Sequence, residues 1–192
     1  MEGLISLIYV ICGLSYTIFA GNGRYFAFIF GLTSSILYAF LSFKNALWGS
    51  FILNFFYYIP IQILSLIKWH ENTNKNTKSV YKTELSLKKF LLYVIAALIL
   101  SCILSLILYF RHDTSPVFDG FITVFSVLGA YFTFLRTVEQ WTIWTIVNIL
   151  TVVMWIILNN FVIVLLWLLY LILGIIFYLK WKKEIKSDEA KM

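Results

Sequence analysis

The chain has 192 residues, of which 61% are hydrophobic, 19% aromatic and only 12% charged, with a net charge of +6 and a mean hydropathy of +0.90. A soluble domain typically carries about twice that charged fraction, and runs of roughly 17–25 apolar residues, long enough to cross a bilayer, recur along the whole sequence. A soluble globular fold is excluded, and an all-α polytopic membrane protein is predicted.

Seven apolar spans are expected in chain order: Leu4–Ala20, Tyr25–Phe43, Leu47–Trp69, Leu87–Tyr109, Phe118–Leu135, Trp141–Leu158 and Phe161–Trp181. The first has no basic residues ahead of it, so it reads as a spanning helix and not as a cleavable signal. Short polar marks separate the spans: Gly21–Arg24, Lys44-Asn45, Arg111–Pro116, Arg136–Gln140 and Asn159-Asn160. Only the stretch from Lys68 to Lys89 is long and polar, and its core HENTNKNTKS has the composition of a flexible, solvated loop. Pro60 predicts a kink in the third span, and such kinks open cavities for ligands. A membrane barrel is excluded because its strands would alternate over about ten residues. Cys12 and Cys102 lie in apolar runs and read as small hydrophobes.

Lysine and arginine set the expected orientation. Thirteen of them fall at or beside the 21–24, 70–88 and 136–140 loops and the C-terminal tail, against Lys44 and Arg111 on the other side. By the positive-inside rule the N-terminus is outside and the C-terminus cytoplasmic. Spans one to three and five to seven form two triplets joined by short loops, and SLIKWHE at 65–71 echoes FYLKWKKE at 177–184. The organisation expected is therefore a 3+1+3 arrangement of two parallel three-helix repeats, a transporter architecture with its site near the midplane. Its parts are a first bundle over 1–69, a basic cytoplasmic linker over 70–86, a linker helix and extracellular loop over 87–117, a second bundle over 118–181, and a cytoplasmic tail over 182–192.

Polar groups in hydrocarbon need partners, so they mark where lipid is not. At about 100° per residue, Trp141, Trp144, Asn148, Thr151 and Trp155 fall within roughly 80° of one another. Asn54, Tyr58, Gln62 and Ser65 form a similar face in the third span. Thr33, Ser34, Ser35 and Tyr38 add polarity to the second span, and Thr123, Ser126, Tyr131 and Thr133 to the fifth. Blander roles compete with a ligand for these groups. Trp48, Trp69 and Trp181 read as an interfacial aromatic belt, which would also suit Trp141. Serine and threonine hydroxyls can bond to the preceding turn, and one asparagine can join two helices. The recurrence of an amide beside aromatic rings in each triplet favours a ligand with a flat ring and hydroxyl groups.

Every Asp and Glu lies in a loop, a tail or a helix end, and no Lys, Arg or His stands in mid-span. Proton relays and voltage sensors need buried ionisable groups, so none is expected. No phosphate-binding glycine loop is present, and neither metal-ligand spacing nor a nucleophile–base constellation occurs. The expectation is a protein that is not an enzyme, with no catalytic residues, metal site or cofactor and no nucleic-acid partner.

Glu139-Gln140-Trp141-x-x-Trp144-x-x-x-Asn148 resembles the WxxWxxxN signature of the PnuC family of vitamin transporters. The stretch from Trp48-Gly49 through Asn54 and Tyr57-Tyr58 to Lys68-Trp69 resembles the matching region of that family's first half. The resemblance implies a fold similar to the SWEET carriers in the inner membrane of a bacterium, a homo-oligomer of the trimeric type, and facilitated diffusion of a nucleoside-like vitamin. Nicotinamide riboside is the first candidate, trapped afterwards by a cytoplasmic kinase. Thiamine, riboflavin and deoxynucleosides are alternatives, as is a vitamin-binding membrane subunit that needs a separate ATPase. Carried over by position, Trp141, Trp144 and Asn148 would line the substrate site together with Asn54, Tyr58 and Gln62.

Overall fold

The computed structural model describes residues 2–44, 48–112 and 114–189. Asn45, Asp113 and Lys191, and the side chain of Trp48, lie outside the described residues. The helices are α1 (Glu2–Gly21), α2 (Ala27–Lys44), α3 (Trp48–Leu53), a π-helical turn (Asn54–Tyr58), α4 (Ile59–Glu71), α5 (Leu87–Phe110), α6 (Pro116–Leu135), α7 (Glu139–Ile157) and α8 (Phe161–Glu189). Among the described residues the only β pairing is two isolated bridges, Thr73 with Val80 and Thr83 with Thr137. Six helical stretches are long and apolar enough to cross a membrane, and α1 contributes a shorter apolar run, Leu7–Gly21. At 1.5 Å per residue, α5 is about 36 Å long and α8 about 43 Å, against a hydrocarbon core of about 30 Å.

The polar marks end the helices as their chemistry dictates. Gly23 adopts a positive φ of 70°, which costs glycine little, and the Asn22 amide caps α1 by donating to the Ile18 carbonyl at 2.7 Å. Asn159 takes the left-handed conformation after α7, a role asparagine fills readily. Asn160 then accepts the N–H of Ile163 at the start of α8.

The third span departs from one regular helix. The N–H of Ile59 reaches back to the carbonyl of Asn54, an i→i+5 bond, and Pro60 follows immediately. Proline cannot donate to the ladder, and its ring crowds the preceding turn. The wide turn absorbs one extra residue between Asn54 and Ile59. Such π turns occur frequently at functional sites.

The chain divides into two compact units, Met1–Tyr81 with Phe134–Arg136, and Lys82–Thr133 with Thr137–Met192. In the first, α2 packs against α1 on one side and α3, the π turn and α4 on the other. In the second, α7 packs on α8, and α5 meets α6 where a Cβ on Gly120 would stand 2.2 Å from Ser105 Oγ. Small residues allow such close backbone approach in membranes.

The stretch His70–Ser79 is largely exposed, as its composition suggests, but the segment is anchored at several points. Val80 is buried and donates its N–H to the Gly23 carbonyl. The Arg24 guanidinium donates to the carbonyls of Thr77 and Lys78, and Arg136 donates to that of Tyr81. Arginine at the same place in each triplet thus pins this segment by its backbone. The helical tail also differs, since α8 runs on to Glu189.

Candidate functional site

Trp144 is the best-defined of the expected binding residues. Its half-buried indole lies across Gly129 of α6, where an added Cβ would meet three ring atoms at 3.0–3.3 Å. Its Nε1–H donates to Thr133 Oγ1 at 3.2 Å, and that hydroxyl donates to the Gly129 carbonyl at 2.9 Å. One face of the ring is thus supported by a residue without a side chain, and the in-plane rotation is fixed by a hydrogen bond. A flat surface held this way can stack on a planar ligand with little ordering cost.

Trp141 and Asn148 are turned more toward α8. Trp141 is only 4% exposed and packs against Phe177 at 5.2 Å and Trp181 at 5.9 Å. Its indole nitrogen is buried without a hydrogen-bond partner. Asn148 is buried at 4% exposure. Its Nδ2 and the Thr145 hydroxyl stand 3.9 and 3.1 Å from where a Cβ of Gly174 would be. Thr151 satisfies its own hydroxyl on the Val147 carbonyl at 2.8 Å, the blander of its two expected roles.

In the first unit, Gln62 donates through Nε2 to Ser35 Oγ at 2.7 Å, and its Oε1 is buried without a partner. That oxygen fills the notch at Gly31, where a Cβ would stand 1.8 Å from it and 2.9 Å from the Tyr16 ring. Asn54 is buried in the π turn, and Tyr58 packs edge-on against Tyr57 at 5.3 Å. Ser65 bonds to the Ile61 carbonyl. Gln62 and Ser35 are therefore brought together, and Tyr58 closes the π turn that begins at Asn54. Gly31 of α2 receives the amide of Gln62, whereas Gly174 of α8 faces the Thr145 hydroxyl with the Asn148 amide farther off.

Two expectations are corrected. Trp69 and Trp181 are fully buried and do not form a belt. Trp69 stands edge-on to Phe28 at 4.9 Å, and Trp181 does the same to Trp141. Nor is the chain free of buried ionisable groups, since Glu139 is 8% exposed with Oε2 lacking a partner. Its helix-end position suggested solvent, but residues 82–85 fold over it, and the Leu85 N–H donates to its Oε1 at 3.1 Å. Gly31, Gly129 and Gly174 were missed as site-shaping residues. Their only signal in the sequence was being small residues inside apolar spans. No group of His, Cys, Asp or Glu suited to a metal occurs among the described residues.

Six apolar helical stretches long enough to cross a bilayer define a multi-pass membrane protein. The chain belongs to the nicotinamide mononucleotide transporter family, whose family model matches residues 3–183. It is similar to the nicotinamide riboside transporter PnuC of Neisseria mucosa, with 27% identity over 99% of this chain and 76% of that one. It is also similar to the protein of the same name from Haemophilus influenzae, with 23% identity over 96% of this chain and 82% of that one. Among solved structures, the crystal structure of the vitamin B3 transporter PnuC superimposes with a TM-score of 0.79 at 26% identity, covering 97% of this chain and 83% of that one.

Proposed function

We propose that this protein carries nicotinamide riboside across the cytoplasmic membrane of a bacterium by facilitated diffusion, with trapping by a cytoplasmic kinase. The observation that carries the reading is Trp144, held flat on Gly129 and tied by its N–H to Thr133. An indole face offers a cationic pyridinium about 0.5–2 kcal/mol without a buried counter-charge. Asn148 and Gln62 supply amides for ribose hydroxyls, and Trp141, Asn54 and Tyr58 complete the binding set. The relatives named for the riboside support this choice. The chemistry does too. A mononucleotide adds a phosphate, and the spans hold no mid-span Lys or Arg to receive it.

The layout proposed is 3+1+3, with α1–α4 and α6–α8 as parallel repeats and α5 as the linker. The N-terminus is outside, the C-terminus is cytoplasmic, and the protein assembles as a trimer. The deciding experiment is a thermal-shift panel in detergent followed by uptake into liposomes by this chain alone. Nicotinamide riboside should raise the melting temperature and enter the liposomes. A response only to thiamine, riboflavin or deoxynucleosides would reassign the substrate. Binding without uptake would indicate a subunit that needs an ATPase partner.

A further inference from the structure

Residues Lys82–Leu85 lie across the start of α7, and every one of the four is tied to α7, α8 or the turn before α7. The Thr83 carbonyl accepts the N–H of Val138 at 2.9 Å, and the Leu85 N–H donates to Glu139 Oε1 at 3.1 Å. The Lys82 ammonium, on a side chain only 7% exposed, stands 2.5 Å from Glu184 Oε2 and 5.2 Å from the centre of the Trp181 ring. Glu84 pairs with Lys182. Trp181 in turn packs edge-on against Trp141.

We infer that Lys82–Leu85 is a strap that positions the binding face of α7, with Glu139 and Lys82 as its positioning residues. The inference rests on the proposed role of that face. Trp141 has no polar anchor of its own, because its indole N–H is buried and unpartnered. Its place is decided by Phe177 and Trp181, and Trp181 carries Lys82 over its ring. Trp144 follows one turn later on the same helix, so a shift at the strapped end of α7 moves both indoles. Fold stability alone does not account for the arrangement. Burying charges is often no better than apolar packing of the same volume, and the orphaned Glu139 oxygen is a standing cost. What ionic and hydrogen-bonded contacts add is direction, since they hold only over a narrow range of positions. The network also has redundancy at one point, because Lys180 stands 3.9 Å from Glu184 as well.

The test uses the full-length chain in detergent, with calorimetric titration of nicotinamide riboside and amide hydrogen exchange at Leu85 and Val138. Lys82→Glu and Glu184→Lys, each alone, should weaken binding by about tenfold or more, as expected for contacting residues in one network. The double reversal should recover most of the affinity, because it restores the pair with its polarity exchanged. Glu139→Ala should weaken binding similarly, and Glu139→Gln should keep it, since its amide oxygen still accepts the Leu85 N–H. Exchange at both amides should accelerate in the single reversals and slow again in the double one. Wild-type affinity in the single reversals overturns the inference, as does a double reversal that regains amide protection but not binding. If the wild type binds no riboside, the proposed function fails, and unchanged exchange in the single reversals would then reject the strap on its own evidence.

Discussion

The indole N–H of Trp144 and the hydroxyl of Thr133 stand 3.2 Å apart, joining the second turn of α7 to the end of α6 beside Gly129. This bond turns a greasy-looking helix into one that presents a ring at a fixed angle. Most of the expected behaviour of the protein follows from whether that ring is where the ligand stacks.

Trp144→Ala removes a stacking surface worth about 1–3 kcal/mol in comparable base–aromatic sites. Affinity for nicotinamide riboside should fall roughly tenfold to a hundredfold. Trp144→Phe should keep part of it, because a smaller ring still stacks. Asn148→Ala should lose a similar amount, since an unmade bond to a buried polar group costs about 1–3 kcal/mol. Leu165→Ala, at an exposed position, is the control. Calorimetry on the purified variants decides, and wild-type affinity in both Trp144→Ala and Asn148→Ala would remove α7 from the site.

Thr133→Val deletes the acceptor for the Trp144 N–H at nearly constant volume. Binding should weaken by several-fold to tens of fold, from the ~1–3 kcal/mol cost of an orphaned donor and a loosened ring. Thr133→Ser keeps the hydroxyl and should bind like the wild type. Equal affinities for Val and Ser would show that the bond does not orient the ring.

Gly129→Ala and Gly31→Ala probe the two notches. At Gly129 the new methyl would meet the indole at 3.0–3.3 Å, so the ring must shift by a few tenths of an ångström. At Gly31 the 1.8 Å overlap falls on the end of the Gln62 side chain, which can swing away. Both variants should fold, and both should lose riboside affinity in the same titration. Loss of folding without a measurable binding change in a detergent-stabilised sample would place these glycines in helix packing alone.

Orientation is tested at Lys75, an exposed residue of the segment between α4 and α5. If thirteen of the fifteen basic residues face the cytoplasm as the positive-inside rule expects, Lys75→Cys should react with an impermeant thiol reagent only in inverted vesicles. Reaction in intact cells would reverse the topology.

Transport should be a uniport, with uptake into liposomes running to equal concentrations and ignoring an imposed pH or sodium gradient. The buried Glu139 makes this sharper than the sequence suggested, because one carboxylate now stands where a proton could be carried. Glu139→Gln should leave the final level of uptake unchanged. Accumulation above equilibrium in the wild type, abolished by Glu139→Gln, would instead make Glu139 a coupling residue.

What the sequence by itself determined was local. The thickness of the bilayer fixes the length of an apolar run, so the seven spans were legible within a few residues. Gly23, Asn159 and Asn160 ended helices where backbone chemistry requires. Helical spacing put Trp144 and Asn148 on one side of α7, but the packed structure sets Trp144 against Gly129 of α6 and Asn148 near Gly174 of α8. Spacing did not show the single i→i+5 bond ahead of Pro60, which widens the turn that carries Asn54 and Tyr58. The tertiary structure alone decided which tryptophans are buried, that Gly31 receives the Gln62 amide and that Glu139 is covered. Those outcomes depend on partners far away in the chain. Leu85 and Glu139 are 54 residues apart, and Glu84 and Lys182 are 98 apart. Hydropathy and periodicity sum over neighbours within a few turns, so they cannot see a strap that arrives from another part of the chain and converts a helix end into an interior.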